Sequence, residues 1–360
     1  MTLVPRRDYR NVILFETSQD NLNDLILADI NLEGGLLTFQ SAQRCDFTNA
    51  NLRWTHWRQA DLSGSTLNGA DMTDSNLDFA KLRNIHAHNA NLNLVIGVAA
   101  DFSDSTITES QLNYSNLRGS IFTHCDLTKS EIMHANLQNA KFIQTCLRDV
   151  NFSYTWFDYQ HYIDKSTKTV AELSHCDISN AIFYKSDIRG LDLTKSVYDN
   201  VNFEYALYDN TTKWPSNLNP IHKGAIFVGQ GVDISNNNLS NLFLEGADLK
   251  NITGYNVNFQ ESKLPYTDFS NAYLIKSNFS YCILHNSTFA NSNLRESSFL
   301  QAHLYRCNFE NSDIRGADMR FDIDKFKRKL ENNNTFTLKN AKYDKTTIWP
   351  DGFDPRGWDR

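Results

Sequence analysis

His86 and His88 stand one residue apart, as two imidazoles would to begin a metal site on one side of an extended segment. A third ligand is missing where a neighbouring turn of chain would supply it: positions 66, 68, 106 and 108 are Thr, Asn, Thr and Thr. His124 follows Asp104 by twenty residues, a pairing that reads as a surface hydrogen bond rather than an acid/base couple. The six cysteines, at 45, 125, 146, 176, 282 and 307, form no C-x-x-C pair and no metal-ligand spacing. No phosphate-cradling glycine loop, zinc-protease histidine pair or nucleophile elbow occurs. The expectation is a protein that is not an enzyme, with no catalytic residue, metal or cofactor.

The elements that would position these residues follow from a different spacing. In the stretch 297–319, Phe299, Leu304, Phe309, Ile314 and Met319 lie five residues apart. A helix repeats every 3.6 residues and a strand every 2, so a sustained period of five demands a chain that turns at regular intervals. The register runs unbroken from Leu22 to Phe157 through 28 units, with Ala87 and Gly97 the weak ones. It resumes from Leu173 to Tyr208 for 8 units and from Ile234 to Met319 for 18.

Two residues before each large centre the side chain is small, as at Ala60, Ser65, Ser277 and Ala317; one residue before it, Asp or Asn recurs, as at Asp61, Asn91 and Asp318. Five cysteines, 45, 125, 176, 282 and 307, occupy the small position, where the thiol serves as compact interior filler. A longer period of 20 appears in Phe259, Phe279 and Phe299 and in Phe269, Phe289 and Phe309, so four units make one coil. Asn251, Asn271, Asn291 and Asn311 share that spacing, as a ladder of stacked amides would, and asparagine tolerates the left-handed conformation of a tight corner. Coils stacked at about 4.8 Å would pair each backbone group with the coil above or below, and 54 units would make about 13.5 coils, a column of roughly 65 Å.

The unit of small residue, Asp/Asn, Leu/Phe and two variable residues, as in "ADLSG", "ADMTD", "ANLQN", "SNLRG", "ADLKN" and "SNLRE", resembles the pentapeptide repeat family over most of residues 20–345. That resemblance implies an all-β fold, a right-handed quadrilateral β-helix of about 13 to 14 coils in two or three blocks; the handedness comes from the resemblance and not from the spacing. Leucine-rich repeats share the long period but lack an apolar residue at every fifth position. The segments "ALYDNTTKWPSNLNP" (206–220) and "AKYDKTTIWPDGFDP" (341–355) repeat one another, and their Trp-Pro steps suit closing ends. The expected organisation is an N-terminal solenoid, 1–220, with a register break at 158–172, and a C-terminal solenoid, 221–360, interrupted at 320–337. In the interruption, Lys325, Lys327, Arg328 and Lys329 suit a short amphipathic helix or a solvated basic face.

The formal net charge of −7 disfavours direct nucleic-acid binding. No run of about 18 apolar residues and no leader-like N-terminus occurs, so the expectation is a soluble cytoplasmic protein that binds no membrane. On two of the four sides of the first block, outward positions are mostly polar. The other two carry Phe39, Trp54, Phe79, Leu94, Ile96, Val98, Tyr114, His134, Tyr154, Trp156 and Tyr159, with Trp54, Leu94, Tyr114, His134 and Tyr154 in one stripe at multiples of twenty. A contiguous exposed apolar stripe marks a partner surface unless the 158–172 segment covers it. The functional expectation is a structural, protein-interaction scaffold, of bacterial type by resemblance, binding a protein partner or a second copy as a homodimer. Its rival is a DNA-mimicking protein that binds a topoisomerase such as gyrase and confers inhibitor resistance, as some members of the resembled family do. Residues 22–157 hold 14 acidic against 9 basic residues, a shallow excess spread over faces of mixed sign.

Overall fold

In the computed structural model, which describes residues 2–6, 12–157, 170–322 and 336–358, the period of five is a succession of corners. Within a unit the large centre and the small residue two before it point inward, and the two residues after the centre form a turn. The centres from Leu22 to Phe157 are essentially fully buried, as are those from Leu173 to Phe203 apart from the half-buried Tyr198, and those from Ile234 to Met319. The weak units Ala87 and Gly97 keep the register.

Each bridging residue pairs in parallel with the one twenty positions later, as in Asp46 with Thr66, Asn51 with Asp71, His56 with Asn76 and Asp61 with Lys81. Four such pairings per coil make a four-sided β-solenoid. The amide of Leu27 donates to the Asp46 carbonyl (2.7 Å), and the amide of Asp46 donates back to Leu25 (2.9 Å), so backbone groups are satisfied between coils rather than within a strand. The turn closes by a bond such as Ala50 N–H to Phe47 O, 3.0 Å.

Three sequence features follow from this corner. The second turn residue is left-handed at nearly every unit, with φ of 56° at Asn49, 58° at Asp74 and 65° at Gly69; only its first partner keeps negative φ, the sign pattern of a type II turn. The Asp/Asn before the centre accepts the amide of the first turn residue, as Asp46 does from Thr48 (2.9 Å) and Asp61 from Ser63 (3.0 Å), which fixes the corner from outside. From inside, the small hydroxyl one coil above completes corners: Ser65 donates to the Ala42 carbonyl (2.8 Å) and accepts from the Cys45 amide (3.0 Å).

The described residues form two compact units, the first running up to Ile226 and the second beginning at Phe227. The first opens on an antiparallel hairpin of β1 (Thr2–Pro5) and β2 (Ile13–Thr17), whose Val4 is buried and whose Pro5 carbonyl accepts the Leu36 amide (2.8 Å). Its ladder continues across the break: Lys141 pairs with Glu172 and Trp156 with Asp187, after which the interval of twenty returns with Asp177 and Val197. Most of the 158–172 segment lies outside the described residues, and so does the basic stretch 325–329. In the second unit Asn308 pairs with Thr337 and Asp318 with Ile348, one further coil after the interruption.

Inside, the twenty-residue phenylalanine columns are ring stacks: Phe259–Phe279 and Phe269–Phe289 at 4.9 Å, Phe279–Phe299 and Phe289–Phe309 at 5.0 Å. Phe102, Phe122 and Phe142 form another at 4.9 Å in the first unit. The twin Trp-Pro segments share their bonding. Asp209 accepts from the Thr211 amide and Asp344 from the Thr346 amide (2.9 and 2.8 Å), while Thr212 and Thr347 donate to the Ile188 and Ile314 carbonyls (3.3 and 3.1 Å). Trp214 then meets Phe203 edge-on at 5.0 Å, and Trp349 stacks on Phe353 at 5.4 Å.

Candidate interaction surface

The left-handed corner position faces outward, and in two corner columns of the first unit large apolar groups occupy several of these positions. Phe39, Trp54, Phe79, Leu94, Tyr114, His134 and Tyr154 all adopt φ between 55° and 62°. For a residue with a Cβ this conformation is unfavourable by roughly 1–2 kcal/mol, and asparagine or glycine occupies it at less strain. Phe39 is 70% exposed and Tyr114 60%; His134, Tyr154 and Val98 are half-buried.

The stripe divides into two adjoining corner columns. In one, Tyr114, His134 and Tyr154 stack face to face with centroids 4.6 Å apart and planes within 6°. Trp54 and Leu94 lie lower in the same column, with Asp74 between them. Phe39 and Phe79 belong to the neighbouring corner, where the Arg58 guanidinium lies 6.0 Å from the Phe79 ring. The structure also extends the ladder to two residues the spacing does not reveal: Tyr184 packs edge-on to Tyr154 at 5.6 Å, and Tyr205 to Tyr184 at 5.8 Å. The break shifts the corner column to Lys185 and Tyr205, and Tyr184 is the first turn residue beside Lys185. Lys185, buried, lies between these rings, its ammonium 5.8 Å from Tyr154 and 5.9 Å from Tyr184, and burial lowers its pKa.

Charge on the first unit is arranged differently. Arg44 pairs with Asp24 (2.7 Å), Lys129 with Glu109 (3.3 Å) and Arg148 with Asp177 (2.7 Å), each one coil apart on the outside. One pair is buried: Arg189 holds Asp187 bidentately at 2.8 and 2.7 Å. His124 bridges Asp104 (3.1 Å) and Gln144 (2.9 Å), and its bonds to Gln144 and then Asp104 raise its pKa. His88 meets Thr108 at 3.1 Å. Among the described residues no group of three His, Cys, Asp or Glu side chains could hold a metal ion.

The cysteines at the small position are interior. Cys45, Cys125, Cys176, Cys282 and Cys307 are buried, and the Cys125 and Cys282 thiols each donate to a main-chain carbonyl at 2.9 Å. Burial pushes Cys45 up to about 11 and Cys125, Cys176 and Cys282 up to about 12, which suppresses the thiolate. The expected asparagine ladder is partial: Asn311 donates to Asn291 (3.1 Å), whereas Asn251 and Asn271 form no such bond among the described residues. All four sit in the left-handed corner with φ of 57–59°. The link that those two lack joins Asn256 to Asn236 and runs along Asn238, Asn258 and Asn278 instead.

With this geometry in hand, the family model for pentapeptide repeats matches in 8 copies over residues 45–84, 100–139, 122–153, 255–289 and 282–320. The chain belongs to the pentapeptide repeat family. No curated protein matches it. Among solved structures it is similar to HetL, a pentapeptide repeat protein involved in heterocyst differentiation regulation from the cyanobacterium Nostoc sp. strain PCC 7120, at 17% identity over 83% of this chain and 93% of that one, TM-score 0.25. It is also similar to the pentapeptide repeat protein Rfr23 of the cyanobacterium Cyanothece 51142 (23% identity, 34% and 88% covered, TM-score 0.26). QnrB1, a plasmid-mediated fluoroquinolone resistance protein, aligns at 20% identity over 49% of this chain and 90% of that one, TM-score 0.24. No helix among the described residues is long and apolar enough to cross a membrane.

Proposed function

We propose that this pentapeptide repeat protein is a non-enzymatic scaffold whose first unit docks a protein partner along the aromatic edge. The observation that carries the reading is the placement of Trp54, Tyr114, His134 and Tyr154 at left-handed corners, where the backbone itself favours small or amide side chains. Strain tolerated at contiguous, outward, apolar positions is the signature of a surface kept for recognition. Aromatic side chains supply large contact area at low rotamer entropy, the property of interface anchors.

In this reading the solenoid winds right-handed through about 13 to 14 coils, as two repeat domains of about 220 and 140 residues. Six free cysteines without a disulfide suit a reducing compartment, the cytoplasm of a bacterial cell. A DNA-mimicking role at gyrase would need a dense face of unpaired carboxylates. The coil-to-coil pairing of Asp24, Glu109 and Asp177 with cations works against one.

A photo-cross-linking residue at position 98, beside the stripe, should capture a partner in the wild-type background and lose it when Trp54, Tyr114 and Tyr154 are changed together to Ser. If the triple variant keeps every association of the wild type, the docking reading is wrong. Inhibition of gyrase supercoiling by submicromolar protein would instead favour the mimic.

A further inference from the structure

We propose that the side of the first unit spanning the five coils from Trp54 to Gln138 is a homodimer interface, met antiparallel by a second copy with the two-fold axis at Leu94, Ile96 and Val98. The inference rests on the docking reading and names its occupant.

Each coil places three side chains on this side: the left-handed corner residue, the bridging residue two further on, and the first residue of the next turn, the last of these being buried in the end coil at Gln138. In the middle coil these are Leu94, Ile96 and Val98, all apolar, the first two 47% and 42% exposed. The charges on the strip are Arg58, Asp74, Asp78 and Arg118, a net of zero on a chain that carries −7. Two copies can approach along this strip without the repulsion that an acidic protein meets elsewhere.

Asp74, Asp78 and Arg118 form no ion pair among the described residues, whereas Arg44, Lys129 and Arg148 of the same unit are paired from coil to coil. Asp78, half-buried, uses one oxygen to accept the Val98 amide (2.9 Å), and Arg118 is exposed.

A two-fold axis lying in the face, perpendicular to the stacking direction, reverses the order of the coils and keeps each side-chain column opposite itself. Asp78 and Arg118 share one column, one coil below and one coil above Val98. The axis at the middle coil therefore sets Asp78 against the partner's Arg118 and the reverse, two ion pairs by symmetry. In the other column Asp74 meets the phenol of the partner's Tyr114, and Trp54 meets the ring of the partner's His134. A slip that moves the axis half a coil toward Trp54 opposes Arg118 to the partner's Arg58 instead. A parallel pairing, which exchanges the columns, sets Asp74 against the partner's Asp78. The charges thus select one orientation and one register.

Five coils at about 4.8 Å and a strip roughly 15–20 Å wide bury on the order of 400 Å² per copy, about half of a standard stable interface. The dimer is correspondingly weak, with Kd on the order of tens of micromolar.

Sedimentation equilibrium of the full chain from about 1 to about 300 μM tests this. Arg118→Asp and Asp78→Arg, each at a corner site outside the left-handed region, should separately weaken self-association about tenfold or more. An equimolar mixture of the two should regain the wild-type dimer, because each pair of opposite charges is then rebuilt across the heterodimer. Arg118→Gln, which changes less, should fall between, and circular dichroism checks that every variant folds. A wild-type chain that stays monomeric over the range, a dimer unmoved by Arg118→Asp, or a mixture that fails to associate overturns the inference. A wild-type chain that stays monomeric but still cross-links a different protein through position 98 overturns the dimer and leaves the docking reading standing, whereas loss of all capture at position 98 overturns the docking reading itself.

Discussion

The left-handed corner position holds leucine, tyrosine and histidine at 94, 114, 134 and 154 in the first unit and asparagine at 251, 271, 291 and 311 in the second, with backbone angles that agree within a few degrees. The corner therefore does not require either filling. Asparagine answers the conformational demand of the turn and in part links coil to coil. The aromatic column meets that demand less well and returns ring stacking at 4.6 Å, with apolar area left facing outward. Tyr266 and Tyr281 of the second unit also stand at left-handed corners, so what sets the first-unit column apart is its continuous stack of Tyr114, His134 and Tyr154, and that surface is the place to look for a partner. The interiors show no such divergence, since both units stack phenylalanine at 4.9 Å.

The comparison breaks most readily at the interior. Phe122→Ala and Phe289→Ala each remove one ring from the middle of a buried stack and should destabilise their own unit by about 3–5 kcal/mol. Urea melts followed separately in each unit by hydrogen exchange would read this. A cost confined to one of the two would mean that the interiors are not equivalent.

Exchange of the corner fillings sharpens it. Asn291→Tyr should destabilise the second unit by about 1 kcal/mol, because it adds left-handed strain and removes the amide bond from Asn311. Tyr114→Asn relieves the strain but forfeits stacking on His134, so its stability should stay within about 1 kcal/mol of wild type. Binding along the edge should drop all the same. Thermal melts beside the cross-linking readout separate the two effects, and equal stability losses at both sites would remove the distinction between them.

The smallest effect is one that the units share. The Thr48, Thr194 and Thr346 hydroxyls, bonded to Asp46, Asp192 and Asp344, lower those carboxyls, Asp192 to about 2. A carboxyl lowered by folding contributes stability that is present above its unfolded value and is lost as pH falls through its folded value. Both units should then lose stability progressively between about pH 4 and pH 2, without divergence, by acid titration of their circular dichroism.

Much of this was legible in the residues. A period of five and a superperiod of twenty imply a four-sided coil, because neither a helix nor a strand repeats so, and the columns Phe259–Phe299 and Phe269–Phe309 stack as that arithmetic requires. The interior place of Cys45, Cys125, Cys176, Cys282 and Cys307 and the left-handed corners at asparagine follow from the same register. Tyr205 was hidden because an insertion changes the interval between facing residues while leaving the coils stacked, and Tyr184 because it reaches the column from the first turn position rather than from the corner. That Asn251 and Asn271 form no amide link among the described residues could not be read either, since identical spacing does not fix a side-chain rotamer.

The sequence alone determined which residues turn inward, since burial follows from residue type once the period is known. Only the tertiary structure decided which surface groups are already partnered. Arg44 finds Asp24 and His124 finds Gln144 across coils, while Asp74, Asp78 and Arg118 find no ionic partner among the described residues. The reason is geometric: surface contacts depend on the rotamers of long side chains on neighbouring coils, which the repeat places about 4.8 Å apart but does not orient.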